Sequence, residues 1–313
     1  MTFTERVKEE IILKKIFQPC CQVSALSAFI RGAGTLLIKN GNIGFEIITE
    51  NQKALEAFSQ ILNTLYGVNC LFKEVKDKLK GKTKYSLSLV DGKSTMILQE
   101  LGIIEEGASG AQINLSVDKY LIENDCCKRA YLLGAFIGSG SVTIPSEGVK
   151  SSTSYHLEFV FSKYQTASCV CELLSSVGFF PKLTERKENF IVYFKNGDEI
   201  SDILFYLGAK KCCFELKEII IKKLMNNDTN RKRNCDMGNI NKQIEASIKQ
   251  VKDINLIIET VGLDKLSKPL REACELRLEN KESTLEEMSK LSGLSKSCLN
   301  HRFRKIAEIA KNL

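Results

Sequence analysis

Two segments of this chain share one pattern of apolar and small residues. Ala25–Ile38 reads ALSAFIRGAGTLLI, an apolar helical run that passes through G-x-G into a strand-like run. Leu132–Ile144, LLGAFIGSGSVTI, repeats it. Cys20-Cys21, Gly32 and Gly34 recur as Cys126-Cys127, Gly138 and Gly140, each 106 residues later. Ile43–Gly67 is mirrored by Tyr155–Gly178 once a longer loop, PSEGVKSSTS, is allowed, and this sets Glu46 against Glu158. Tyr85–Gly92 mirrors Ile191–Asp198, and both copies close on Leu-Gly, at Leu101-Gly102 and Leu207-Gly208. Alternation in FEIIT and YSLSL predicts strands, and the spacing of Ala54, Leu55, Phe58, Ile61, Leu62 and Leu65 predicts a helix. Each copy therefore predicts helix, two strands, helix, two strands, helix.

The first helix of each copy is apolar on several sides, as a buried helix should be. Ala28, Gly32 and Ala33 in one, and Gly134, Gly138 and Ser139 in the other, would let two such helices approach closely. Gly34 and Gly140 would end them with positive φ.

Beyond Gly208 the pattern becomes purely helical. Cys212–Asn227 is amphipathic, and Asn227–Asn241 is polar with a basic cluster at Arg231, Lys232 and Arg233. Ile244, Ile248, Val251, Ile254 and Ile258 then recur near helical spacing from about Lys242 to Thr260. Leu266–Asn280 predicts a helix with Pro269 near its start. Thr284 with Glu287 forms a capping box ahead of an apolar face of Leu285, Met288 and Leu291. Ser292-Gly293-Leu294 is a tight turn, and Ser295 can cap a last helix whose stripe is Leu299, Phe303 and Ile306. Helix, glycine turn and helix of this length fit a helix-turn-helix as well as an ordinary helical hairpin.

Charge, together with the glycine turn, the caps and the apolar spacing, favours the first of these readings over a hairpin with a solvated basic face. The net charge is +7. Residues 1–209 carry 23 basic and 23 acidic side chains, whereas residues 210–313 carry 22 against 15, so the whole excess lies at one end. Confined positive charge points to a polyanion for that end. On the last helix, Lys296, Ser297, Asn300, His301, Arg304 and Lys305 face outward, and Arg302 faces out or reaches a phosphate. Asn and Arg can make paired hydrogen bonds to a base edge, whereas Lys and Ser more often hold phosphates. The candidate DNA-binding set is thus Thr284, Ser295, Lys296, Ser297, Asn300, His301, Arg302, Arg304 and Lys305, with Arg231, Lys232 and Arg233 as candidate linker contacts.

The chain has 12 cysteines, no C-x-x-C and only two histidines, His156 and His301. Its cysteines read as reduced, small apolar residues, and neither a metal nor a cofactor is expected. No apolar run reaches a membrane-spanning length, so a cytoplasmic protein without membrane contact is expected.

LSAFIRGAG (Leu26–Gly34) and LLGAFIGSG (Leu132–Gly140) resemble the LAGLIDADG motif of homing endonucleases in its two-copy form. The resemblance implies that the motif helices form the interface between the copies. In those enzymes the acid before the last glycine holds the metal ions that activate water. Here those positions are Ala33 and Ser139, and the earlier motif acid is replaced by Arg31 and Ile137. Metal-assisted hydrolysis needs hard oxygen ligands. Glu46 and Glu158 read as outward strand residues, so the architecture is retained without catalytic residues.

CCQVSALSAFIRGAGTL, RAYLLGAFIGSGSV, NRKRNCDMGNINK and ELRLENKESTLEEMSKLSGLSKSCLNHRFRKI together resemble the WhiA family of bacterial regulators. The resemblance implies an α+β fold. A duplicated α-β-β-α-β-β-α LAGLIDADG-like domain with pseudo-twofold symmetry would fill 1–209, with repeats at about 20–105 and 126–209. A helical, basic linker (210–262) and an all-α helix-turn-helix domain (263–313) would follow. It also implies a nucleoid-bound, sequence-specific regulator of double-stranded DNA, tied to sporulation or to cell division and chromosome behaviour. Ser289 and Ser292 are polar where related sequences tend to be apolar, which predicts a looser motif. An interaction hub that docks another transcription regulator, and an active endonuclease, remain as alternatives. The oligomeric state is left open.

Overall fold

The computed structural model describes residues 1–313 except 13–15, 17, 77–82, 108–109 and 146–153. Most of the longer loop expected between the second pair of strands lies outside the described residues. The chain forms two compact units, Met1–Ile221 and Lys222–Leu313.

In the first unit, α1 (Phe3–Ile12) precedes the first repeat. That repeat comprises α2 (Pro19–Ala33), β1 (Gly34–Lys39), β2 (Asn42–Thr49), α3 (Gln52–Tyr66), β3 (Leu71–Lys76), β4 (Thr83–Leu89) and α4 (Ser94–Glu100). A hairpin of β5 (Ile104–Gly107) and β6 (Gly110–Ile113) joins it to the second repeat. This contains α5 (Asp125–Ser139), β7 (Gly140–Thr143), β8 (His156–Phe161), α6 (Tyr164–Ser176), β9 (Lys182–Arg186), β10 (Asn189–Phe194) and α7 (Gly197–Leu207). The two four-stranded antiparallel sheets have matching orders, β1-β2-β4-β3 and β7-β8-β10-β9. The duplication read from the sequence is therefore a duplication of the fold.

The repeats share one core through α2 and α5, which run side by side in the same direction. Ala25, Leu26, Ala28, Phe29 and Ile30 are buried on α2, and every residue from Ala130 to Ile137 is buried on α5. Their backbones nearly touch. A Cβ on Gly134 would overlap the carbonyl of Ala25, and one on Gly138 would lie 3.0 Å from the carbonyl oxygen of Phe29. Each helix also lays a ring on its own repeat: Phe29 stacks on Phe58 at 3.9 Å, and Phe136 meets Phe159 edge-on at 5.7 Å.

The glycines that end these helices have another cause than positive φ. Gly34 and Gly140 are extended, with φ −86° and −85°. A Cβ at Gly34 would sit 2.5 Å from the carbonyl oxygen of Ile30, and one at Gly140 would sit 2.6 Å from that of Phe136 and inside its ring. Close approach at the helix-to-strand corner demands glycine there. Positive φ occurs instead after the closing helices, at Gly102 (64°) and Gly208 (101°).

One feature went unread, one expectation needs correction and one is sharpened. First, α1 was not legible in a charged N-terminus, yet its Phe3, Val7 and Ile11 are buried. Thr4 Oγ1 donates to Val142 O and accepts from Val142 N, both at 2.8 Å. Second, the cysteines are not uniformly buried: Cys20 and Cys126 are exposed. With Cys21 and Cys127 they form a group whose sulfurs all lie within 4.8 Å of one another. Third, the helical linker expected over 210–262 is a single helix, α8 (Lys210–Thr260), unbroken through the Asn-rich basic segment.

The second unit contains α9 (Lys268–Glu279), α10 (Leu285–Ser292) and α11 (Lys296–Lys311). Its core joins Ala273, Cys274, Met288, Leu299, Phe303, Ile306 and Ala310 to Ile254 and Ile257 of α8. The end of α8 thus belongs to this core, earlier in the chain than the expected domain start at 263. Of the expected stripe, Ile254 is buried, whereas Ile244, Ile248 and Ile258 are exposed; Ser247 and Ile257 are buried instead.

Two glycines make opposite predictions. Gly134→Ala should destabilise the first unit by about 1–3 kcal/mol, because the carbonyl of Ala25 cannot yield without moving a helix. A Cβ on Gly238, within α8, would meet nothing within 4 Å. Gly238→Ala should therefore stabilise that helix by roughly 0.5–1 kcal/mol. Denaturant unfolding checks the first and amide exchange along α8 the second.

Candidate nucleic-acid interface

The helix-turn-helix is held together by caps. Thr284 Oγ1 accepts from Glu287 N at 3.2 Å, and Glu287 Oε2 accepts from Thr284 N at 2.7 Å, which completes the capping box of α10. Gly293 ends that helix at φ 71°, a conformation that favours glycine. Ser295 Oγ accepts from Cys298 N at 3.2 Å and starts α11.

The polar residues beside the turn tighten it. Ser289 Oγ donates to Leu294 O, and Ser292 Oγ donates to Met288 O at 2.8 Å while accepting from Leu294 N at 3.3 Å. These bonds run against the looser motif expected from the two serines: Ser289 ties the carbonyl of Leu294, and Ser292 ties its N–H. Met288 is buried as expected, but Leu291 is 64% exposed and Leu294 takes its place against the core.

A residue the sequence reading passed over organises the domain. Arg277, at the end of α9, is only 2% exposed. It donates to Gln250 Oε1 at 2.9 Å, Ser283 O at 2.6 Å and Asn280 O at 3.2 Å, and its guanidinium lies 5.3 Å from the centre of the Phe303 ring. It thereby ties α8, the α9–α10 loop and α11 together. Burial lowers its pKa from the ordinary arginine value. The only sequence signal was an arginine two positions inside a helix end, in a row of charged residues that all read as outward-facing.

On α11, Leu299, Phe303 and Ile306 face the core, as the spacing predicts. The opposite side exposes Lys296, Ser297, Asn300, His301, Arg304 and Lys305. These form two adjacent rows with a spacing of four residues, on one helix face. Arg302 leaves this set. It donates to Pro269 O at 3.0 Å and pairs with Glu272 Oε2 at 3.6 Å, with its side chain 17% exposed, so it braces α11 against α9. Thr284 and Ser295 use their side chains as caps. Lys296 Nζ pairs with Glu286 Oε2 at 2.7 Å, and that hydrogen bond and the charges of Lys296 and Lys290 hold the Glu286 carboxyl below its ordinary pKa.

A cleft of about 680 Å³ runs between α8 and the first turns of α10 and α11. Lys242, Lys290, Lys296, Ser297 and Asn300 share its walls with Glu286 and Glu287. Arg231, Lys232 and Arg233 lie on the exposed part of α8 and do not line it; Lys232 pairs with Asp228 at 3.1 Å.

The motif ends in the first unit have a different chemistry. The would-be Cβ of Gly32 lies 3.4 Å from Ser139 Cβ, and that of Gly138 lies 3.5 Å from Ala33 Cβ. Apolar and backbone atoms meet where a pair of acids would sit. Ser139 Oγ donates to Ala135 O of its own helix at 2.8 Å. Arg31 donates to Asn114 O at 2.5 Å and to Gly102 O, tying α2 to the linking hairpin. Glu46 Oε1 accepts from Ser86 Oγ at 2.6 Å, and Glu158 is bonded to Ser141 at 3.2 Å and His156 at 3.0 Å. Among the described residues, three or more His, Cys, Asp or Glu ligands gather only at the four cysteines. No described helix is long and apolar enough to cross a membrane.

Comparison with known proteins bears on both units. Family models match the WhiA N-terminal LAGLIDADG-like domain over residues 19–104, the WhiA LAGLIDADG-like domain over 128–226 and the WhiA C-terminal HTH domain over 229–310. The probable cell division protein WhiA of Alkaliphilus oremlandii is 35% identical over 319 aligned positions, covering 100% of this chain and 98% of that one. The probable cell division protein WhiA of Bacillus cytotoxicus is 37% identical, covering 100% and 97%. A crystal structure of full-length WhiA from Thermotoga maritima superposes with a TM-score of 0.58 at 22% identity, over 100% of this chain and 99% of that one, and so shares its fold. The chain belongs to the WhiA family.

Proposed function

We propose that this protein is a sequence-specific DNA-binding regulator that acts in cell division, and that its LAGLIDADG-like unit does not cleave DNA. The observation that carries the reading is the exposed face of α11. It presents Lys296, Ser297, Asn300, His301, Arg304 and Lys305 from a helix whose other side is fixed by Leu299, Phe303 and Ile306. In the major groove, Asn300 and Arg304 would read base edges, and Lys296, Ser297 and Lys305 would hold phosphates. Lys242 and Lys290, on the cleft beside α11, extend the cationic surface toward the backbone. The cell-division assignment rests on the names of relatives aligned over their full length.

The absence of cleavage rests on side-chain chemistry. Ala33 has no donor, the Ser139 hydroxyl is bonded within its own helix, and Glu46 and Glu158 are engaged on strands. A metal pair that activates water would find no carboxylate in the last turn of either motif helix, and Glu46 and Glu158, opposite Thr35 and Ser141 just beyond, are already hydrogen-bonded. The zero net charge of residues 1–209 supports a second role for this unit, as a dock for a protein partner, since nonspecific DNA affinity grows with cationic contacts.

The test is capture of sheared genomic DNA by the full-length chain with Mg²⁺, followed by sequencing of the recovered fragments and their ends. Discrete enriched sites with unaltered ends are expected; new ends at a fixed position within a site would overturn the noncutting reading. Asn300→Ala and Arg304→Ala should each weaken binding to an enriched site by about 1–3 kcal/mol. Arg302→Ala should instead lower the stability of the second unit by roughly 1 kcal/mol, while the folded variant binds as the parent does. Equal affinity across all three variants would overturn the groove assignment.

A further inference from the structure

The first turns of α2 and α5 bring Cys20, Cys21, Cys126 and Cys127 to one point. Cys20 and Cys21 follow Pro19 at the start of α2, and Cys126 and Cys127 follow Asp125 at the start of α5. All four sulfurs lie within 4.8 Å of one another. One thiol of each pair is buried and the other exposed. We propose that these four cysteines bind a single thiophilic metal ion, with zinc as the reference ion, and that it clamps the two repeats together at the N-terminal ends of their shared helices.

Geometry supports this. Four thiolates around one zinc ion at about 2.3 Å form a tetrahedron with edges of roughly 3.8 Å. A set of sulfurs within 4.8 Å reaches that arrangement by small side-chain rotations. The space they enclose suits one ion and is too small for a four-iron, four-sulfide cube. The ligand set is closed, as in structural zinc sites, with no position left for a reacting water. Soft sulfur ligands favour zinc or cuprous ions over magnesium or calcium.

Position supports it as well. A helix N-terminus carries partial positive charge and unbonded N–H groups, and it lowers the cost of a thiolate. Here two such termini converge on the same four sulfurs. Four thiolates held this close would repel one another, and a divalent cation offsets that repulsion. Moving the helices apart to relieve it would expose the buried rows from Ala25 to Ile30 and from Ala130 to Ile137. The exposed Cys20 and Cys126 give an ion a way in, and the buried Cys21 and Cys127 anchor it. The sequence concealed the site because each half is only a doubled cysteine, without the spacing of a chelating motif.

The test uses the reduced, chelator-treated full-length chain, titrated with Co²⁺ without oxygen. About one equivalent per chain is expected, with thiolate-to-cobalt charge-transfer bands and the visible bands of a tetrahedral ion, all lost on adding Zn²⁺. Zn²⁺ should raise the unfolding temperature, since binding only the folded state stabilises it. The Cys20→Ser/Cys126→Ser double variant changes two exposed thiols and should fold, yet lose both the bands and the thermal shift. Absence of bands in the parent would overturn the proposal, as would bands that persist in the double variant. Mass spectrometric mapping of disulfides between the two cysteine pairs in the untreated chain would also overturn it, in favour of covalent cross-links.

Discussion

The backbones of α2 and α5 approach so closely that Gly134 has no room for a Cβ, and the first unit is arranged around this contact. Gly134 lies against the carbonyl of Ala25, and Gly138 lies near that of Phe29. Side chains larger than hydrogen at either place would push the helices apart. That separation would break the rows of buried residues from Ala25 to Ile30 and from Ala130 to Ile137. The helices run in the same direction, so one contact fixes two ends. At the C-terminal end it faces Ala33 toward Gly138 and Ser139 toward Gly32. At the N-terminal end it gathers four thiols. The same approach positions β1 and β7, because each helix turns directly into its strand at a glycine that must be small.

The two ends of this helix pair have exchanged chemical character relative to the endonuclease motif. Where an acid would project, Arg31 turns back to bond Asn114 O and Gly102 O; earlier on the same helix, buried hydroxyls serve neighbouring carbonyls, Ser24 donating to Leu121 O at 2.6 Å and Ser27 to Leu101 O at 2.7 Å. A polar group used in this way is unavailable as a metal ligand, since moving it would orphan a buried carbonyl at a cost of about 1–3 kcal/mol. The fold thus keeps its symmetry with no carboxylate at Ala33 or Ser139. The soft ligands stand at the opposite end, where helix dipoles favour anionic sulfur.

Much of this was legible in the chain because duplication tests itself. Matching residues at an offset of 106 fixed the order of elements in both repeats, and strict alternation in FEIIT and YSLSL fixed their strands. What stayed hidden depended on distant neighbours. Cys20 and Cys126 look like any doubled cysteine until the helix pair sets them side by side. Gly34 and Gly140 look like positive-φ caps, because a sequence does not show the carbonyl that a Cβ would strike. Arg277 and Arg302 sit among charged residues on helices, and periodicity cannot tell a buried or braced arginine from a solvated one. α8 escaped for the opposite reason. Its Asn, Asp and Gly residues are poor helix formers, yet Asn227–Asn241 is helical and exposed, extending an ordered stretch on either side.

If α11 enters a groove as proposed, the ion pair of Lys296 with Glu286 bears on how it docks. At 2.7 Å the pair is short, but both side chains are more than half exposed, and such pairs contribute only about 0–1 kcal/mol. Lys296 can therefore turn to a phosphate with little loss. Glu286 then keeps Lys290, 3.9 Å away, as its remaining cation. Its negative charge near the cleft opposes DNA unless both lysines are engaged, so it disfavours a shifted docking in which only one lysine reaches the backbone. In the proposed complex, an acidic residue among the lysines would thus narrow the registers open to the helix, and Asn300 and Arg304, one and two turns further on, would be left to discriminate between bases.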